Sequence, residues 1–136
     1  PRILIPRAEV ARELLPDELR AAGAHVDVIP VYRTLTPEQD SGGWRQELMD
    51  HRIHVVTFTS SSTVRNFVAM LGGTEAVKPL VQSVMIACIG PITAKTAEEY
   101  GLTVSIMPSE NTIPALVDAI VHHYESREQV ATGARQ

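Results

Sequence analysis

The sequence has one cysteine and few aromatic residues, and both shortages restrict what the chain can be. Cys88 is the only cysteine among 136 residues, so no disulfide can form within the chain. Its place in an apolar run indicates a buried thiol in a reducing compartment, which predicts a cytoplasmic protein. Aromatic residues make up 4% of the chain and all hydrophobic residues 44%, so valine, isoleucine, leucine and alanine must build the core. A core of this kind is typical of parallel strands covered by helices.

The sequence also lacks blocks of basic residues and long apolar runs. The formal net charge is −4 and no lysine or arginine cluster is present, which argues against nucleic acid or a membrane surface as partner. No apolar stretch approaches the length of a transmembrane helix. The chain has no initial methionine, and a strand-like run begins at Ile3. We therefore expect a segment of a longer protein.

Motifs for the common nucleotide and metal sites are missing as well. The chain contains no GxGxxG turn and no P-loop. Its five histidines do not show a recognised metal-ligand spacing, so the sequence predicts no metal site.

Apolar strand-like runs alternate with helical patterns along the whole chain, which predicts a doubly wound α/β protein. Short connections and right-handed crossovers favour a five-stranded parallel sheet of flavodoxin-like order 2-1-3-4-5, with helices on both faces. We assign residues 1–125 to a single domain and residues 126–136 to a flexible tail. The predicted strands are residues 3–5, 26–31, 53–58, 84–89 and 102–107, and the longer helices are residues 8–22, 61–71, 92–100 and 113–124.

Small hydroxyl side chains gather where the third strand ends and the next helix begins. Thr59, Ser60, Ser61 and Ser62 directly follow the apolar run Val55–Phe58. Serine and threonine are common helix N-caps, but one cap needs only one hydroxyl. Because this place lies at the carboxyl edge of a parallel sheet and at a helix N-terminus, the sequence predicts an anion site here.

Further donors are predicted at the same edge. They lie at Arg7, at residues 32–34, at residues 90–93 and at residues 108–112. An edge with hydroxyls, guanidinium groups and helix N-termini suits a ligand that carries several carboxylates or phosphates. No nucleophile–base pair and no pair of carboxylates stands out, so an enzyme built on this edge would act by positioning and electrostatics.

Six short motifs resemble the C-terminal half of uroporphyrinogen-III synthase in their order and spacing. Each motif alone is weak, but together they are specific and reach almost to Tyr124. They are Ile5-Pro6-Arg7, residues 19–23, residues 30–34, residues 58–64, residues 89–94, and residues 109–113 with Leu116.

The resemblance implies a cofactor-free lyase of heme and porphyrin biosynthesis. Such an enzyme converts the linear tetrapyrrole hydroxymethylbilane into uroporphyrinogen III, with loss of water and inversion of the last pyrrole ring. The substrate carries eight carboxylates, which fits the donor-rich edge. The expected partner is therefore a small polycarboxylate tetrapyrrole, with no nucleic acid and no membrane involved.

The resemblance also implies roles for single residues. Tyr32 falls on the family's tyrosine that is proposed to donate a proton to the departing hydroxyl, so it is the predicted catalytic residue. Thr93 falls on the threonine of a Gly-Pro-x-Thr turn, and Ser60 and Ser62 fall on the serines of a Phe-x-Ser-x-Ser turn. The predicted substrate-binding set is Arg7, Thr59, Ser60, Ser61, Ser62, Gly90, Ile92 and Thr93.

Simpler structural roles compete with these assignments. Tyr32 can be an ordinary aromatic at a strand end, and Arg7 a solvated surface charge. One of the serines can act only as a helix cap. Asn111 and Thr112 are interpreted as helix caps rather than ligands.

The chain departs from the family in length. The family is about twice as long, with two similar α/β domains and an active site in the cleft between them. We expect the N-terminal half of the same chain to be missing here, and residues 1–34 to take the place of its first βαβ unit. On this hypothesis the chain alone has little or no activity. The alternative is a non-catalytic ligand-binding or regulatory module of the same fold, fused to another domain.

Overall fold

Five parallel strands form one sheet with helices on both faces in the computed structural model, which describes residues 1–7, 14–30 and 43–134. The strand order is β2-β1-β3-β4-β5, which confirms the predicted flavodoxin-like α/β fold. The elements are β1 (Arg2–Arg7), α1 (Leu14–Ala21), β2 (His25–Pro30), α2 (Trp44–Met49), β3 (Val55–Phe58), α3 (Ser61–Met70), α4 (Thr74–Leu80), β4 (Met85–Cys88), α5 (Pro91–Glu99), β5 (Val104–Ile106) and α6 (Ile113–Ala134).

The central strands are buried on both faces. All four residues of β3 are buried, and in β4 only Met85 is partly exposed. This agrees with their continuous apolar sequence, since a strand covered by helices on both sides has no solvent-facing position. β3 and β4 pair in parallel over four residues, from Val55 opposite Met85 to Phe58 opposite Cys88.

The side chains of β1, β3 and β4 alternate between two separate cores. Val56 and Phe58 belong to the core under α2, α3, α4 and α5, where the rings of Phe58 and Phe67 meet edge to face at 5.4 Å. Val55 belongs to the core on the opposite face, under α1 and α6. Successive side chains of a strand point to opposite faces of the sheet, so these strands pack against the helices on both faces.

The first βαβ unit, β1-α1-β2, joins the rest of the sheet where β1 pairs with β3. β1 pairs with β2 over six residues but with β3 over two, Ile3 opposite Val55 and Leu4 opposite Val56. Arg2 links β1 to β2 and to α2, because its guanidinium donates to Asp27 at 2.8 Å and to Glu47 at 2.8 Å. These hydrogen bonds, that to Asp27 first, raise the pKa of Arg2 although partial burial opposes them.

Several helix ends follow the sequence signals. Gly23 lies after α1 with a φ of 100°, a left-handed conformation that glycine adopts without strain, and its N–H donates to the carbonyl of Arg20. Pro91 is the first residue of α5, where its missing N–H costs no helical hydrogen bond. Of the helix predicted over residues 8–22, the structure shows Leu14–Ala21, which includes Pro16, and residues 8–13 lie outside the described residues.

The last helix differs from the prediction. α6 continues to Ala134, so the segment predicted as a flexible tail from residue 126 is helical over most of its length. The residues after Tyr124 are rich in glutamate, arginine, glutamine and alanine, which are strong helix formers, and one glycine does not outweigh them. No helix among the described residues is both long and apolar enough to cross a membrane.

Candidate functional site

At the carboxyl edge of the sheet, the neighbouring strands β1 and β3 are followed by helices on opposite faces. β1 and β3 are neighbours, but α1 packs in one core and α3 in the other. In doubly wound sheets such a divergence leaves a crevice above the strand ends, and ligands bind there. The hydroxyl residues at the start of α3 directly follow β3 at this edge.

Ser60 is the N-cap of α3. Its hydroxyl accepts a hydrogen bond from the Thr63 N–H at 3.3 Å, and the Thr63 hydroxyl donates to the Ser60 carbonyl at 2.7 Å. The first of these bonds satisfies one of the N–H groups that the start of a helix otherwise leaves open. The competing structural role that the sequence suggested therefore holds for Ser60.

The other hydroxyls of the cluster point to different neighbours. Ser61 accepts a hydrogen bond from the Thr96 hydroxyl at 2.8 Å, which links α3 to α5. Ser62 is exposed and its hydroxyl lies 3.1 Å from the Ser60 hydroxyl. Thr59 is partly buried at the end of β3. Of the four predicted binding residues in this turn, Ser62 is the one most available to a ligand.

The turn after β4 lies beside this cluster. Gly90 is the N-cap of α5 and provides no side-chain hydrogen bond to it. Thr93 is 6% exposed, whereas Ile92 is 79% exposed and projects from the first turn. Neither α3 nor α5 has an acidic residue in its first turn, so the partial positive charge of both N-termini is not neutralised there.

The turn after β5 contains a contact that sequence reasoning missed. Thr112 caps α6, since its hydroxyl accepts from the Ala115 N–H at 3.2 Å, as predicted. The sequence favours a capping role for Asn111 too, but its side chain lies against Gly90: a Cβ at Gly90 would be 2.6 Å from the Asn111 Oδ1. Only the pairing of β4 with β5 brings these residues together, and no local pattern in the sequence signals it.

Two predicted residues lie at the limits of the described segments. Arg7 is the last residue of β1, at the carboxyl edge, as predicted. Tyr32 lies outside the described residues, two positions after the end of β2 at Pro30.

Two clefts lie away from the carboxyl edge. One of about 190 Å³ lies between α1 and α6 beside Ile3, near the amino end of β1. The other, about 560 Å³, lies along the edge strand β5 beside Ser105. Neither contains a residue of the predicted binding set.

The titratable groups offer no nucleophile or metal cluster in the described part of the chain. Cys88 is fully buried, and desolvation raises the pKa of its thiol to about 12, so it stays protonated at neutral pH. Within the described ranges, no group of three or more histidine, cysteine, aspartate or glutamate side chains could hold a metal ion. The polar groups at the edge therefore suit binding and orientation better than covalent attack.

Strand order and the site at the strand ends together define a doubly wound α/β protein of the flavodoxin-like type. A family profile described as Uroporphyrinogen-III synthase HemD matches residues 1–118. The chain therefore belongs to the uroporphyrinogen-III synthase family, which confirms the resemblance seen in its motifs.

Individual relatives agree with this assignment. The uroporphyrinogen-III synthase of Synechococcus elongatus is 34% identical over 122 residues, which are 88% of this chain and 46% of that protein. The uroporphyrinogen-III synthase of Chlorobaculum parvum is 30% identical over 118 residues, 86% of this chain and 46% of the relative. The chain thus spans about half the length of the curated relatives it matches.

A solved structure supports the fold. The crystal structure of uroporphyrinogen III synthase from the extremely thermophilic bacterium Thermus thermophilus aligns with a TM-score of 0.56 at 17% identity. The alignment covers 93% of this chain and 51% of that structure.

Proposed function

We propose that this chain provides one wall of the active site of a uroporphyrinogen-III synthase. The observation that carries the proposal is the hydroxyl-lined carboxyl edge at the start of α3, in a chain that belongs to this family. On this proposal the second wall comes from the half of the enzyme that the chain does not span.

The edge has the chemistry that a polycarboxylate ligand needs. Ser62 offers an exposed hydroxyl, and the first turns of α3 and α5 offer backbone N–H groups with no acidic side chain among them. Carboxylates accept hydrogen bonds from such groups and gain from the helix dipoles. Thr59, Thr93 and Arg7 extend this set along the same edge.

The proposed reaction needs positioning and one proton donor. Hydroxymethylbilane loses its hydroxyl as water, and the chain closes with the last ring inverted. We assign the proton for the departing hydroxyl to the phenol of Tyr32, which follows the carboxyl end of β2 in sequence. The hydroxyls of α3 hold carboxylates in place, so that the reacting ring ends meet.

Binding of uroporphyrin III tests the first part of this proposal. This porphyrin carries the eight carboxylates of the product and is fluorescent, so the chain can be titrated directly. We expect Ser62→Ala to weaken binding about three- to tenfold, because it removes a hydrogen bond to a charged group. Ser105→Ala is the matched control, since Ser105 is also exposed but lies in β5 beside the distant cleft. Equal affinity of the two variants would contradict the assigned role of Ser62.

The role of Tyr32 is tested by Tyr32→Phe in a two-domain synthase that contains this chain. We expect the rate of uroporphyrinogen III formation to fall about 10²-fold or more, the usual scale for loss of a general acid. Affinity for uroporphyrin III should change little, because the phenylalanine keeps the ring. Unchanged turnover would show that Tyr32 does not donate the proton in the chemical step.

A further inference from the structure

The exposed face of α3 carries a positive charge close to the hydroxyl cluster. Ser62, Arg65 and Ala69 are the exposed residues of this helix, and their spacing places them on one face. Ser62 and Arg65 are three positions apart, so their Cβ atoms lie about 5–6 Å from each other. Arg65 comes directly after the motif of residues 58–64 and is not part of the predicted binding set.

The side chain of Arg65 is long enough to reach the first turn of α3. Arg65 is the fifth residue of the helix, about 6 Å along the helix axis from Ser61 at the usual rise per residue. Side chains on a helix lean toward its N-terminus and cover the preceding turn. The guanidinium of Arg65 can therefore lie beside the Ser62 hydroxyl, at the end of the helix that follows β3.

Arg65 has no acidic partner among the side chains that the structure describes. α3 contains no aspartate or glutamate, and the Arg65 guanidinium forms no ion pair or hydrogen bond within the described ranges. The other arginines with described side chains all have partners, and they are Arg2, Arg20, Arg45 and Arg52. In a chain of net charge −4, a guanidinium without a carboxylate is available to an anionic ligand.

We propose that Arg65 and Ser62 together bind one carboxylate of the tetrapyrrole, an inference that rests on the proposed function. A guanidinium donates two parallel hydrogen bonds to a carboxylate, and the Ser62 hydroxyl donates a third. The two oxygens of a carboxylate offer enough lone pairs to accept all three. Arg65 is thus a further binding residue of the site.

Arg65 also makes this end of α3 selective for ionised ligands. A hydroxyl donates to neutral and charged oxygen acceptors alike, whereas a guanidinium adds an attraction that only an anion can use. The contribution of Arg65 to binding should therefore shrink as the salt concentration rises, because salt screens exposed charges.

Titration of the chain with uroporphyrin III tests the role of Arg65. We expect Arg65→Gln to weaken binding about tenfold at low salt, because hydrogen bonds to charged groups are strong. Arg65→Lys should weaken binding less, since lysine keeps the charge but lacks the two-pronged donor. Arg65 is exposed, so both variants should keep the thermal midpoint of the unmodified chain.

Arg52→Gln is the matched control for the change in charge. Arg52 is exposed like Arg65, but it lies before β3, at the amino edge of the sheet. We expect its replacement to weaken binding by no more than about twofold, because salt screens charges at this distance.

The double variant Ser62→Ala/Arg65→Gln tests whether the two residues share a carboxylate. If they do, the double variant should weaken binding by clearly less than the product of the two single effects. A loss equal to that product would show that Ser62 and Arg65 bind different groups, and the shared carboxylate would be wrong.

The outcomes separate the role of Arg65 from the proposed function. If Arg65→Gln binds like Arg52→Gln while Ser62→Ala is weakened, Arg65 is not a binding residue and the hydroxyl site stands. If Arg52→Gln is weakened as much as Arg65→Gln, binding responds only to the total charge of the chain, and the role of Arg65 is again wrong. If the unmodified chain does not bind uroporphyrin III, both the role of Arg65 and the proposed function fail.

Discussion

Neighbouring hydroxyl side chains at the start of α3 have different tasks. Ser60 closes the end of the helix, and Ser61 ties α3 to α5 through Thr96. Ser62 remains exposed to solvent. At the scale of single residues, a cluster that looks uniform in the sequence thus combines structural and ligand-facing groups, and stability and binding measurements should separate them.

Replacement of Ser60 tests its structural task. Ser60→Ala removes the hydrogen bond to the Thr63 N–H, and we expect the free energy of unfolding to fall by about 1 kcal/mol, as for other lost N-caps. Urea denaturation measures this difference. Ser62→Ala is the control and should lie within about 0.5 kcal/mol of the unmodified chain, since it is an exposed position inside the helix. A Ser60→Ala variant as stable as Ser62→Ala would show that the cap contributes nothing.

At the scale of elements, the side chain of Arg2 adds to the pairing that joins the first βαβ unit to the rest of the fold. β1 meets β3 over two residue pairs, and Arg2 adds ion pairs to Asp27 in β2 and to Glu47 in α2. Arg2 also lies over the ring of Trp44, with its guanidinium carbon 5.8 Å from the ring centre. One side chain therefore connects β1, β2 and α2 at the amino edge of the sheet, opposite the candidate site.

We expect Arg2→Ala to lower the free energy of unfolding by about 1 kcal/mol, because the ion pairs are partly exposed and solvent weakens them. The effect should shrink at high salt. Lys78→Ala is the control, since Lys78 pairs with Glu75 one helical turn away and both side chains are largely exposed. Urea denaturation at low and high ionic strength measures both variants. Equal stability of the two variants at low salt would show that the ion pairs of Arg2 contribute no more to stability than an exposed pair does.

At the scale of the whole molecule, the chain matches about half of each relative. The structure contains one five-stranded sheet, and the candidate site lies at its carboxyl edge. A site that must exclude water and hold two ends of a flexible ligand needs walls on both sides. This supports the hypothesis that the chain binds the tetrapyrrole without completing the reaction.

We therefore expect the chain alone to form little or no uroporphyrinogen III from hydroxymethylbilane. Chromatography of the oxidised products measures how much of the ring-inverted isomer is formed. A two-domain relative such as the synthase of Synechococcus elongatus serves as the positive control. Near-normal turnover to the inverted isomer by this chain would contradict the need for a second wall.

Much of the architecture follows from local sequence patterns. Apolar runs of strand length, helical periodicity, Gly23 after α1 and Pro91 at the start of α5 are local signals, and each matches the structure. They also place the hydroxyl cluster at the carboxyl end of β3. The predicted end of α6 is wrong, because one glycine does not interrupt a helix when strong helix formers surround it.

The sequence alone therefore determined the order of the elements, the family and the position of the hydroxyl cluster after β3. Only the tertiary structure decided which hydroxyl stays exposed, which helices diverge, and that Asn111 lies on Gly90. The physical reason is distance along the chain. Capping and periodicity depend on residues within one or two turns, whereas Ser61 meets Thr96 only because strand pairing brings separate segments together.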